Sequence, residues 1–221
     1  MLSEQTLLSE QTKQNIEQAF HRSLRASLTR TPEDVCVIAP APTPGLSAPP
    51  LPGAKPAPAG QCGPARQSSP GGQSISAGEP GSVGQPGEIL LVVTISSFVF
   101  RLLTLFQVGG DPATRAYYVS TAQQSLDEAF REFANMCCGA LNRELSEQIP
   151  HLAMSIPYTL SSQCLAFLGE LRPSFLSSSA VTINDSVRLQ VTLCMCCSAA
   201  VDFVASAEPV VETTAGELEM F

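Results

Sequence analysis

Residues 125–139 read Ser125-Leu-Asp-Glu-Ala-Phe-Arg-Glu-Phe-Ala-Asn-Met-Cys-Cys-Gly139, a pattern that predicts an amphipathic helix. At about 100° per residue, Glu128, Glu132, Asn135 and Gly139 fall within about 60° of one another. Apolar residues occupy the opposite side, namely Leu126, Phe130, Phe133, Cys137 and Leu141. Asparagine is a mediocre helix former, and a mid-helix glycine costs about 1 kcal/mol relative to alanine. A solvated face needs neither residue, and glycine lets another backbone come close, so the polar face is predicted to meet another molecule.

The segments around this helix predict an α+β domain with an antiparallel sheet covered by helices. Upstream, residues 89–108 are β-branched and aromatic with Ser96-Ser97 in the middle, which predicts a buried hairpin. Asp111-Pro112 starts a first helix that is expected to reach about Gln123, and Ser125 caps the second, which is expected to reach about Glu147. Downstream, a strand is predicted at 152–156, and a terminal hairpin pairs 180–183 with 187–196 around a turn at 184–186.

The composition divides the chain into four segments. Residues 1–39 predict a helix over about 1–30, with Ile16, Ala19, Phe20, Leu24 and Leu28 as its apolar stripe, followed by a short strand at 34–39. Residues 40–87 hold 12 of the 18 prolines and 10 of the 15 glycines, which predicts a disordered linker or insertion. Residues 88–206 form the expected main domain, and residues 207–221 form an acidic tail.

The charge distribution disfavours a nucleic acid partner. The chain of 221 residues has a net charge of -8 and only 14% charged residues, and it has no Lys/Arg cluster that could neutralise phosphates. The first twenty residues are polar and lack the apolar core of a signal peptide, so we expect a cytoplasmic protein.

A membrane-anchored protein is an alternative, because the strongly apolar run from Ile89 to Phe106 is 18 residues long. Arg101 lies within it, and an arginine at the centre of a membrane span costs about 2.5–3.5 kcal/mol on insertion scales. We therefore expect the hairpin.

Eight cysteines are present, and one pair, Cys194 and Cys197, has the spacing of a zinc or redox motif. The sequence has no second such pair, and both histidines are far from these cysteines along the chain. The sequence therefore favours small buried thiols in a reducing compartment, with no metal site of the protein's own.

Glu132-Phe-Ala-Asn135, followed by Gly139 and by Met154-Ser-Ile-Pro157, resembles the motif of the CheC/CheX/FliY chemotaxis phosphatases. The predicted order of elements is also similar to that family, and CheX, with a single Glu-x-x-Asn motif, is the most similar member. The family often has serine or aspartate where this chain has Glu128, a difference that the capping box of Ser125 and Glu128 explains.

The resemblance implies an α+β fold of the CheX type and hydrolysis of the aspartyl phosphate on a CheY-like response regulator. It implies that Asn135 orients the attacking water and that Glu132 pairs with a lysine of the regulator. Glu128, Gly139 and Pro157 are expected to contact the regulator, which would supply the Mg²⁺, and a homodimer is expected. The alternative is a non-catalytic module that binds a response regulator or a flagellar switch component through the same face.

Overall fold

The protein is described by a computed structural model that covers residues 7–44, 88–121 and 123–205. The elements in chain order are α1 (Glu10–Leu28), β1 (Cys36–Pro40), β2 (Ile89–Ser96), β3 (Phe100–Val108), α2 (Pro112–Tyr118), α3 (Leu126–Ser146), β4 (Ala153–Met154), β5 (Tyr158–Leu160), a 3-10 helix (Ser162–Leu171), β6 (Phe175–Ile183) and β7 (Val187–Cys197). Most of the linker predicted at 40–87, and the tail predicted at 207–221, lie outside the described residues.

Within the described residues, seven strands form one antiparallel sheet. Its order is β1-β6-β7-β3-β2, and the short strands β4 and β5 both pair with β2 at the edge. The α+β prediction, with helices on an antiparallel sheet, is therefore confirmed.

The main core lies between one face of the sheet and helices α1 and α3. The predicted stripe of α1 is fully buried, from Ile16 to Leu28, and the apolar side of α3 faces the same core through Phe130 and Leu141. Phe106 of β3 joins the two layers by an edge contact with Phe130 at 6.1 Å between ring centroids. Aromatic packing of this kind fixes how α3 lies on the sheet, and so which of its faces points outward.

A smaller apolar cluster covers the centre of the other sheet face. Leu90, Leu105 and Cys194 of the sheet pack there under Leu165 and Leu168 of the 3-10 helix. This helix is short, so it covers only part of the face.

An ion pair and a cluster of hydrogen bonds hold the helices and loops in place. Arg22 of α1 donates to the carboxylate of Glu144 in α3, and the Glu144 side chain is only 5% exposed. In the loop after α1, Asp34 accepts hydrogen bonds from Asn184, Tyr117 and the Thr31 N–H, and these bonds hold the pKa of Asp34 well below its usual range.

The apolar run at 89–106 forms strands β2 and β3, as the hairpin prediction required, so the alternative of a membrane span there is wrong. Arg101 is exposed, because it lies on the opposite side of β3 from the buried Phe100 and Leu102. Across the described ranges, no helix is long and apolar enough to cross a bilayer.

Several element boundaries differ from the prediction. Helix α2 ends at Tyr118 rather than near Gln123, because Val119 takes an extended conformation. The strand predicted at 152–156 has only two residues, and β5 was not predicted. Strand β6 begins at Phe175, five residues before the predicted start at Ala180.

Candidate partner-binding site on helix α3

Helix α3 begins with a complete capping box. The Ser125 hydroxyl accepts from the Glu128 N–H at 3.1 Å, and the Glu128 carboxylate accepts from the Ser125 N–H at 2.9 Å. The Ser125 hydroxyl also donates to the Glu128 carboxylate at 2.9 Å. The hydrogen bonds that the carboxylate accepts, first from the Ser125 N–H and then from the Ser125 hydroxyl, lower the pKa of Glu128. Glu128 is exposed at the start of the predicted face, but the capping box engages its carboxylate.

Glu132 and Asn135 are both exposed on α3, one turn apart, on the side away from the core. Within the described part of the chain, neither side chain has a hydrogen-bond or ion-pair partner. Positions three apart on a helix place their Cβ atoms about 5–6 Å from each other. The carboxylate and the carboxamide can therefore reach the same group on an approaching molecule.

Gly139 lies one turn further along the same face and is partly exposed. A Cβ built there would meet only the Arg143 guanidinium, at 3.9 Å from Nη1, which is an ordinary contact. No packing within the described structure therefore explains a glycine at this position.

Pro157 is attached to this helix by Arg131. The Arg131 Nε donates to Asp127 at 2.7 Å, its Nη1 donates to the Pro157 carbonyl at 2.9 Å, and its Nη2 donates to the Thr159 hydroxyl. The Thr159 hydroxyl in turn donates to Asp127 at 3.2 Å. This cluster of Asp127, Arg131 and Thr159 fixes the edge of the sheet against the first half of α3.

Pro157 lies in a β-bulge between β4 and β5, which together form the edge strand. Met154 of β4 pairs with Ile95 of β2, and Tyr158 of β5 pairs with Val92 of β2. Two residues of β2, 93 and 94, separate its paired residues, whereas three residues, 155–157, separate those of the edge strand. Ser155 closes the bulge through its N–H, which donates to the Thr94 carbonyl at 2.8 Å. Proline has no N–H and is confined to edges and bulges, so its position agrees with the local backbone.

Two large apolar side chains are exposed next to these residues along the chain. Met136 follows Asn135 and is 53% exposed, and Ile156 precedes Pro157 and is 83% exposed. An exposed methionine beside a polar pair is typical of a surface that meets another protein.

Sequence reasoning missed Arg131 and Thr159 as contributors to the site. The spacing of Asp127 and Arg131 is a recognisable signal for an ion pair on a helix. Thr159 had no such signal, because its contact depends on how the edge strand pairs with β2.

The seven described cysteines are free thiols. Burial raises the pKa of Cys194 to about 12, and burial also raises the pKa of Cys197, so both thiols stay protonated at neutral pH. Among the described residues, no group of three or more His, Cys, Asp or Glu side chains could hold a metal ion.

No protein-family model matches the sequence, and no curated protein matches it either. Solved structures do match. The chain is similar to chemotaxis proteins of the CheX and CheC type. A CheC-like superfamily protein from Shewanella sp. PV-4 is 7% identical over 85% of this chain and 98% of its own, with a TM-score of 0.43.

Two CheX structures also match the chain. CheX from Borrelia burgdorferi, solved in complex with CheY, BeF₃ and Mg²⁺, is 10% identical over 84% of this chain and 97% of its own, with a TM-score of 0.41. CheX from Vibrio vulnificus is 13% identical over 49% and 75%, with a TM-score of 0.38.

Proposed function

We propose that this protein is a phosphatase that hydrolyses the aspartyl phosphate of a CheY-like response regulator in chemotaxis or a related two-component pathway. The observation that carries the proposal is the exposed pair Glu132 and Asn135, which are one turn apart and have no partner within the described structure. The resemblance of the motif around this pair to that of CheX implies the reaction, which is hydrolysis of an aspartyl phosphate.

Hydrolysis of an acyl phosphate needs a water molecule in line with the bond that breaks. Water attacks phosphorus, the bond between phosphorus and the aspartyl oxygen breaks, and inorganic phosphate and a free carboxylate are released. The Asn135 carboxamide both donates and accepts hydrogen bonds, so it can hold that water without acting as a nucleophile itself. Asn135 is therefore assigned the positioning of water.

Glu132 is assigned to docking. An exposed carboxylate on a helix can pair with the ammonium group of a lysine on the regulator, and the pair would set the depth at which α3 enters the partner's site. The Mg²⁺ belongs to the regulator, where it neutralises charge on the phosphoryl group.

The rest of the proposed contact surface follows from the same helix and the adjacent bulge. Gly139 leaves room for the regulator's backbone, and Pro157 lies beside the first half of α3 because Arg131 holds it there. Glu128 is expected at the border of this surface, since its carboxylate is already engaged in the capping box.

We also propose that the protein acts as a homodimer, as the resemblance to CheX implies. Light scattering on the purified full chain at micromolar concentration measures this directly, and a monomeric mass would refute it.

The test of the phosphatase proposal is phosphate release from phosphorylated receiver domains, with and without the full chain. The wild type is expected to accelerate release from at least one receiver. Asn135→Ala should lower kcat about 100-fold or more while affinity for the receiver changes little, because the side chain acts mainly on the water. Glu132→Gln should weaken binding of the same receiver.

The matched control is Gln18→Ala, which removes an exposed carboxamide from α1 rather than α3. Its release rate should equal that of the wild type. Acceleration that survives Asn135→Ala would refute the assigned role of Asn135. Receiver binding without acceleration would instead support the non-catalytic binding module.

A further inference from the structure

A second candidate site lies at the end of the sheet where strands β2 and β3 turn. A cavity of about 450 Å³ opens there, on the sheet face that carries the 3-10 helix. It exists because this helix ends at Leu171 and leaves the first residues of β3 and the last residues of β7 uncovered.

Arg101 gives this cavity a positive charge. It lies opposite Cys196 across the pairing of β3 and β7, and it is exposed. Among the described residues, no other charged side chain lines the cavity, and the Arg101 guanidinium has no hydrogen-bond or ion-pair partner there. An anion that entered would therefore meet five N–H donors free of competing carboxylates.

The cavity also has an apolar wall. Phe98 at the tip of the hairpin is 93% exposed, and Leu171 is 48% exposed. The turn that carries Phe98 is tightly bonded, because the Ser97 N–H donates to the Phe100 carbonyl at 2.9 Å and the Ser198 hydroxyl donates to the Phe98 carbonyl at 3.2 Å. An exposed aromatic ring on a fixed backbone loses little conformational entropy when a ligand covers it.

We propose that this cavity binds a small organic carboxylate with an apolar or aromatic body. The carboxylate would accept two parallel hydrogen bonds from Arg101, a geometry that guanidinium matches better than ammonium does. The apolar body would pack on Phe98 and Leu171. The volume is within the range of small-molecule sites, about 300–1,000 Å³. This site is independent of the phosphatase proposal, because none of its residues lies on α3.

The experiment is isothermal titration of the full chain with 4-phenylbutyrate, which carries both required groups. We expect saturable binding at about millimolar concentration or tighter. Two related probes separate the contributions: 4-phenylbutanol lacks the carboxylate and butyrate lacks the ring, so each should bind at least tenfold more weakly. Equal binding of either probe would overturn the proposal.

Binding of 4-phenylbutyrate to substituted proteins then shows where on the surface it binds. Arg101→Met should weaken binding at least tenfold, Arg101→Lys should weaken it less, and Phe98→Ala should weaken it severalfold. The matched control is Arg188→Gln, which removes an exposed arginine from the same sheet face outside the cavity and should leave binding unchanged. Weakening by Arg188→Gln equal to that by Arg101→Met would mean non-specific attraction of anions and would overturn the site.

Alkylation of cysteines gives a second readout that needs no variant. Cys196 lines the cavity, whereas the exposed Cys164 does not. Bound 4-phenylbutyrate should slow the reaction of iodoacetamide with Cys196 and leave Cys164 unaffected, as measured by peptide mass spectrometry. Saturable binding without selective protection of Cys196 would place the ligand elsewhere and refute the assignment.

Discussion

Gly139→Ala should stabilise the free protein. The position is in the interior of α3, where alanine is favoured over glycine by about 0.5–1 kcal/mol. The new methyl group would meet only the flexible end of Arg143, at 3.9 Å, so no steric cost offsets this gain. For a folded unit of this size, the change corresponds to a rise in Tm of about 1–4 °C.

The same substitution should reduce phosphatase activity if a partner backbone approaches Gly139. An extra methyl group in a close interface typically costs about 1–3 kcal/mol. Because this cost falls on the complex and not on the free chain, it would lower kcat/KM by about 5- to 150-fold. Stability and activity should therefore move in opposite directions.

Two measurements on the same sample decide this prediction. One is a thermal melt monitored by circular dichroism, and the other is the rate of phosphate release from a receiver domain whose dephosphorylation the wild-type chain accelerates. Ala140→Gly is a useful comparison, because it places a glycine beside the face rather than on it and should only destabilise. A lower Tm for Gly139→Ala would show that the glycine is needed within the protein. A higher Tm with unchanged kcat/KM would refute the close approach of a partner.

The polar contacts give three further predictions. Arg131→Ala should lower the proposed phosphatase activity and speed amide hydrogen exchange at 155–160 with little change in Tm, because it releases the edge strand from α3. Unchanged exchange there would refute this role. Arg22→Ala should lower the free energy of unfolding by about 3 kcal/mol, measured in urea, because it leaves the buried carboxylate of Glu144 without its arginine; a loss below about 1 kcal/mol would contradict this. Asp34 has a lower pKa in the folded than in the unfolded state, so its stabilising effect is complete above about pH 4 and is lost as the pH falls. Asp34→Asn should therefore make stability less dependent on pH below 4, and an unchanged acid profile would refute that.

The elements that the sequence predicted well depend on local signals. Helix α3 begins at the Ser125 capping box and buries the predicted side, because both features need only residues within a few turns of one another. The hairpin of β2 and β3 was predictable for the same reason, since its two strands are joined by a short turn.

The elements that the sequence did not predict depend on contacts between distant segments. Strand β5 has only three residues, all exposed, and its sequence Tyr158-Thr-Leu160 carries no alternation that reports burial. It exists because β2 has a free edge and because Arg131 of α3 reaches the Thr159 hydroxyl. Neither condition can be read from the segment itself.

The candidate site depends both on local sequence signals and on contacts between distant segments. The outward direction of Glu132 and Asn135 follows from the period of one helix, so the pair could be predicted from residues 125–139 alone. The edge of the sheet beside the first half of α3 depends instead on the bulge at 155–157, whose extra residue shifts the register of the edge strand by one position. In a strand, a shift of one residue reverses which side chains point to each face. The bulge therefore decides which side chains of the edge strand after it point to each face, and Pro157 fits the bulge because proline has no N–H to pair with a neighbouring strand.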